Sequence, residues 1–61
     1  MKPVCKLIGE NGNIFNLIGI ARRALKEADE PEKANEMTER VMQAGSYDEA
    51  VRVIIEYVEA E

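Results

Sequence analysis

Residues 13–28, NIFNLIGIARRALKEA, decide the fold because their apolar positions follow the period of an α-helix. These positions recur three or four residues apart along one face: Ile14, Leu17, Ile18, Ala21, Leu25 and Ala28. The Asn11-Gly12 pair upstream would instead favour a β-hairpin with a second strand at 13–18. The helical period outweighs that signal and predicts a helix over about 14–28, capped by Asn13 or Asn11.

Two further helices are predicted downstream. Pro31 follows a polar break and suits the first turn of a helix over about 31–44, which Gly45 would end. The stretch Ser46-Tyr47-Asp48-Glu49 has the pattern of a capping box, in which the Ser46 hydroxyl accepts from the Glu49 amide and the Glu49 carboxylate accepts from the Ser46 amide. A third helix over about 47–58 follows it.

The N-terminal segment predicts one short strand. Val4–Ile8 is apolar and begins with a β-branched residue, and Gly9–Gly12 interrupts it, so we place a strand at about 3–8. The tail at 57–61 either continues the third helix or pairs as a short strand with the first, and the sequence leaves both alternatives open. The predicted fold class is mainly α: a short N-terminal strand followed by a three-helix bundle, with or without that C-terminal strand, in one domain spanning residues 1–61.

The composition narrows how so small a chain can be stabilised. The 61 residues include one cysteine, Cys5, and no histidine, so no intramolecular disulfide can form and the commonest zinc ligand is missing. A hydrophobic content of 46% is too high for a disordered chain. No apolar run approaches the length of a membrane span or of a signal-peptide core. We expect a folded cytoplasmic domain with a free thiol and no membrane association.

Neither catalysis nor cofactor binding is expected. The nucleophile candidates Ser46, Thr38 and Cys5 have no histidine to activate them, Ser46 already serves as a helix cap, and Cys5 lies in an apolar strand. The acidic residues follow no calcium-loop spacing and favour a solvated face. The Gly9–Gly12 loop lacks the lysine of a phosphate-binding loop. The sequence therefore predicts no enzyme, no cofactor and no metal site.

Charge is unevenly divided along the chain. Residues 1–26 hold five basic residues against one acidic residue, and residues 27–61 hold three against eleven, for a net charge of −4. The acidic total argues against a nucleic-acid partner. The alternative function is nevertheless a ribbon-helix-helix-like dimeric DNA-binding regulator, in which the strands of two subunits pair and Lys2 and Lys6 share one strand face with Val4.

The leading hypothesis is a small non-catalytic protein-interaction or self-association module. The first and third helices carry apolar residues outside their core stripes, in arcs wider than the roughly 100° that a helix packed on one neighbour needs. Such arcs predict burial against a protein partner or a second copy, most simply in a dimer. Four apolar flanking residues and two basic ones form the predicted interface: Phe15, Ile20, Val53, Ile55, Arg22 and Lys26.

Three stretches of the chain carry a resemblance to a known group of proteins. They are Lys6–Asn16 (KLIGENGNIFN), Gly45–Ala50 (GSYDEA) and Glu56–Glu59 (EYVE). Together they resemble short uncharacterised bacterial proteins of the kind encoded on prophages and other mobile elements. That resemblance implies a cytosolic, stand-alone domain, and it implies no activity and no functional residues.

Overall fold

The computed structural model describes all 61 residues and is mainly helical. The elements follow the order β1 (Val4–Cys5), α1 (Ile14–Glu27), α2 (Pro31–Met42), α3 (Tyr47–Tyr57) and β2 (Glu59–Ala60). The two strands pair in parallel, with Val4 opposite Glu59 and Cys5 opposite Ala60. The predicted three-helix fold is confirmed, and of the two alternatives for the tail the short C-terminal strand is the correct one.

Local hydrogen bonds explain where α1 begins and ends. The Asn13 side chain caps the helix by accepting from the Phe15 amide at 2.9 Å. At the other end Asp29 adopts a left-handed conformation with φ 62°, and the Glu30 amide donates to the Leu25 carbonyl at 2.8 Å. With the bond from the Asp29 amide to the Lys26 carbonyl at 3.0 Å, this is a Schellman motif that turns the chain into α2.

The turn between α2 and α3 differs from its prediction in two details. Helix α2 ends at Met42, two residues early, because the Ala44 amide bonds to the Val41 carbonyl and tightens the last turn. The capping box forms in part: the Ser46 hydroxyl accepts from the Glu49 amide at 3.1 Å. The Glu49 carboxylate accepts from the Gly45 amide at 2.5 Å rather than from that of Ser46.

Backbone hydrogen bonds join the two ends of the chain. The Pro3 carbonyl accepts from the Glu59 amide of β2, and the Cys5 carbonyl accepts from the Glu61 amide just after β2, both at 2.9 Å. The amides of residues 7 and 8 then converge on the Glu61 carbonyl, both at 3.0 Å. Because one acceptor serves two successive donors, the regular strand ends at Cys5, short of the predicted 3–8. The Lys2 ammonium donates to the Ile55 carbonyl at 3.0 Å and caps the C-terminal end of α3.

The core is wholly apolar and lies among the three helices. Eleven side chains are buried, and none of them is polar: Leu17, Ile18, Ala21, Leu25, Ala34, Met37, Val41, Ala50, Val53, Ile54 and Val58. The prediction that Val53 lies on an exposed interface flank is wrong, because only 7% of this residue is exposed. Helix α3 packs against both α1 and α2, so part of its wide apolar arc is used inside the molecule.

Candidate functional site

An open apolar groove lies where the start of α1, the end of α2 and the start of α3 meet. It has a volume of about 340 Å³, and eight of its ten lining residues are hydrophobic. Three large side chains at the groove are mostly exposed to solvent: Phe15 (66%), Met42 (57%) and Tyr47 (52%). The buried residues Ile18, Val41 and Ala50 also line it, so the groove is continuous with the core.

The loop before α1 and the cap of α3 hold these side chains in place. The Tyr47 hydroxyl donates to the Gly12 carbonyl at 2.5 Å and so ties the start of α3 to the loop that leads into α1. A Cβ at Gly12 would lie 3.3 Å from that hydroxyl, a contact close enough that the Tyr47 side chain would have to shift by a few tenths of an ångström. The Asn13 cap fixes the first turn of α1, and with it Phe15.

The chemistry of the groove is that of apolar contact. No charged side chain lines it. The polar groups at its edge already have partners within the chain: the Ser46 hydroxyl with Glu49, the Gly45 amide with Glu49, and the Tyr47 hydroxyl with Gly12. The groove therefore suits an apolar side chain better than a charged or strongly polar ligand.

The stripe of α1 that begins with Phe15 continues through Gly19 to Arg22 and Lys26, three or four residues apart. Arg22 connects α1 to α2, because its guanidinium donates to the Thr38 hydroxyl at 2.6 Å and to the Ala34 carbonyl at 3.2 Å. Lys26 is exposed. Close packing does not explain Gly19, since a Cβ there would meet nothing within 4 Å.

The other predicted interface residues lie elsewhere. Ile20 is half-buried in a second groove, between α1 and β1. Ile55 is 42% exposed on α3, in line with Val51 and Tyr47 four and eight residues earlier. The structure does not bring Phe15 and Ile20 together, because they lie on opposite flanks of α1, either side of its buried stripe.

Two residues of the groove, Met42 and Tyr47, are not among the interface residues that the sequence predicts. Met42 lies one position beyond Val41, off the apolar stripe of α2, and this offset was a usable signal. Tyr47 is half-exposed because it lies in the first turn of α3, where the helix leaves the bundle.

A polar cluster links α2 to α3 on the opposite surface. The Arg40 guanidinium binds both carboxylate oxygens of Glu56, at 2.8 and 3.1 Å, and lies 5.7 Å from the centre of the Tyr57 ring. The Tyr57 hydroxyl donates to the Glu36 carboxylate at 2.5 Å. The hydrogen bond from Arg40 lowers the pKa of Glu56, while burial, then the bond to Glu36, raises the pKa of Tyr57. The hydrogen-bonding groups of these side chains are paired with one another, so the cluster acts as a structural link between the helices.

No group of three or more Cys, Asp or Glu side chains is arranged to hold a metal ion. The longest helix, α1, has 14 residues, so no helix has the length and apolar character needed to cross a bilayer. No family model, curated protein or solved structure matches this chain.

Proposed function

We propose that this protein is a small, non-catalytic protein-interaction module whose binding surface is the groove at Phe15, Met42 and Tyr47. One observation carries the proposal: three large apolar side chains stand exposed around a groove that opens onto the core. Aromatic residues and methionine are enriched at the centres of protein interfaces, and methionine adapts its shape to the partner. The partner is an apolar segment of another protein chain, bound in the cytoplasm.

The alternative of a DNA-binding regulator has less support from the geometry. The Lys2 ammonium is bonded to the Ile55 carbonyl, and Lys6 lies 3.9 Å from the Glu10 carboxylate. The two basic side chains that flank β1 thus already have partners within the chain, and a ribbon needs such side chains free for the DNA. A gel-shift measurement with duplex DNA at low salt tests this alternative directly.

A photo-crosslinking experiment tests the proposed groove. A benzophenone amino acid replaces Met42 at the groove and, in a control protein, replaces Glu32 at the far end of the same helix. Irradiation in the native host should give a discrete protein adduct from position 42 and none from position 32. Phe15→Ser, combined with the probe at 42, should abolish the adduct because it removes the largest exposed apolar surface of the groove.

Two results would contradict the proposal. One is an absence of any adduct at position 42, and the other is equal adduct formation at both positions. Phe15→Ser should keep the far-UV circular dichroism spectrum and the urea midpoint of the unmodified protein, because Phe15 lies outside the core. That control separates a lost binding surface from a lost fold.

A further inference from the structure

One edge of β1 has no partner strand within the chain. On the paired edge, the carbonyls of Pro3 and Cys5 accept from the amides of Glu59 and Glu61. Backbone groups of alternate residues in a strand point to opposite sides, so those of Val4 and Lys6 point away from β2. No turn, loop or cap hydrogen bond engages either residue, and Val4 is 53% exposed. This free edge is suited to pairing with another extended chain.

A second groove, of about 440 Å³, lies beside this edge. Its lining includes Val4 and Cys5 from β1, and Ile20 and Ala24 from α1. A strand added to the free edge of β1 would lie over this groove and cover the flank of α1 that carries Ile20. One partner would then both form hydrogen bonds with the unpaired backbone groups and cover the apolar flank.

We propose that the occupant is a second copy of this chain, whose β1 pairs antiparallel with β1 about a twofold axis at Cys5. In this register the backbone groups of Val4 bond to those of Lys6 in the second copy, and the reverse pair forms by symmetry. The two sheets join into one of four strands. The Phe15 groove lies on the opposite flank of α1 and stays free, so this inference does not rest on the proposed function.

Charge complementarity on α1 favours a second copy over an unrelated peptide. Arg23 and Glu27 both line the groove one helical turn apart, and they pair with each other at 3.3 Å while most of each side chain stays exposed. The axis that makes the strands antiparallel also makes the two α1 helices antiparallel across Ala24. Arg23 and Glu27 lie on opposite sides of Ala24 along the helix, so the long Arg23 side chain of each copy lies within reach of Glu27 of the other, and the surface is complementary to itself.

Charge reversal tests this arrangement in solution. Sedimentation equilibrium should show a wild-type dimer, and Arg23→Glu or Glu27→Arg should each raise the dissociation constant by about tenfold, because each brings like charges together at two symmetric places. The double reversal, Arg23→Glu with Glu27→Arg, should restore the wild-type constant. A wild-type protein that remains monomeric up to about 1 mM, or four proteins that sediment alike, would overturn the proposal.

The strand contact has its own test. Val4→Pro removes the amide donor at the free edge and leaves the bonds to β2 intact, so the dimer should dissociate; Val4→Thr keeps the amide and should preserve it. Cys5 and Cys5 of the second copy form a non-hydrogen-bonded pair in this register, with Cα atoms about 4.5 Å apart and within the range of a disulfide, so oxidation by copper–phenanthroline should trap a Cys5–Cys5 dimer. Trapping that is equally fast in Val4→Pro, or in Cys5→Ser with Asn35→Cys, would contradict the pairing.

Discussion

Asp29 occupies a backbone conformation that glycine adopts at lower cost. Its φ of 62° lies in the left-handed region, and its carboxylate stands at the C-terminal end of α1, where the helix dipole disfavours negative charge. We expect Asp29→Gly to raise the free energy of unfolding by about 0.5–1 kcal/mol, measured by urea denaturation. Asp29→Ala removes the charge but keeps the Cβ. If both variants raised the free energy of unfolding equally, the left-handed backbone conformation would not be the source of the stabilisation.

The pH dependence of the reactivity of the Cys5 thiol should reflect its partial burial. Burial and, secondarily, the Glu61 carboxylate raise the pKa of this thiol. A raised pKa in the folded state favours the protonated thiol. The corresponding stability is present below the thiol's unfolded pKa and is lost as the pH rises through the folded pKa.

We expect the alkylation rate of native Cys5 by iodoacetamide to rise at a higher pH than that of the protein in 8 M urea, a denaturing concentration. The thiolate is the nucleophile, so the rate follows ionisation. The variant Glu61→Gln should bring the native profile closer to the denatured one. Coincident profiles for native and denatured wild-type protein would contradict the burial of the thiol.

Helix α1 carries a glycine that its own packing does not require. Because a Cβ at Gly19 meets nothing within 4 Å, Gly19→Ala should raise the free energy of unfolding by about 0.5–1 kcal/mol through the better helix propensity of alanine. Gly12→Ala is the matched comparison. Its Cβ would lie 3.3 Å from the Tyr47 hydroxyl, so that side chain must shift by a few tenths of an ångström, and we expect a smaller gain than at Gly19. A loss of stability in Gly19→Ala would show that the position is more crowded than the structure indicates.

The link between α2 and α3 should depend on pH. The hydrogen bond from Arg40 lowers the pKa of Glu56, so its stabilising effect is present above the unfolded pKa of the carboxylate and is lost as the pH falls through the folded pKa. We expect Glu56→Gln to lower the urea midpoint at pH 7 and to flatten its decline on acidification. Arg40→Gln should flatten the decline similarly, whereas Glu39→Gln on the exposed face of α2 should not. If the urea midpoint of Glu56→Gln fell on acidification as steeply as that of the wild type, the Arg40–Glu56 pair would not be the source of the pH dependence.

The helices were predictable because their signals are local. The spacing of apolar residues in α1, Pro31 and the Ser46 cap each act within a few residues. The burial of Val53 depends instead on how α3 packs between two neighbours. The groove likewise arises only where three helix ends meet, so Phe15 was predictable as an exposed apolar residue, but its association with Met42 and Tyr47 was not.

At the scale of the whole molecule, the two ends of the chain stabilise each other through the parallel pair of β1 and β2. This pair joins residues that are more than 50 positions apart in the sequence. No local pattern could therefore decide between a helical and an extended tail. The helix C-cap Val58 is extended and almost fully buried, and it directs the tail towards β1. The free edge of β1 therefore exists only because β2 fixes β1 in place.

Removal of residues 59–61 should consequently release β1 while the three helices persist. At least four backbone bonds are lost, which at the lower limit for exposed hydrogen bonds reduces the free energy of unfolding by about 2 kcal/mol or more. Hydrogen exchange measured by NMR should show the amides of Leu7 and Ile8 losing protection, while those of the buried turns of α1 keep theirs. Full-length protein with Glu59→Gln and Glu61→Gln removes the charges but not the bonds, and it should resemble wild type. Protection that survives at Leu7 and Ile8 in the shortened chain would mean that α1 alone holds the N-terminal segment, and that β2 is not its anchor.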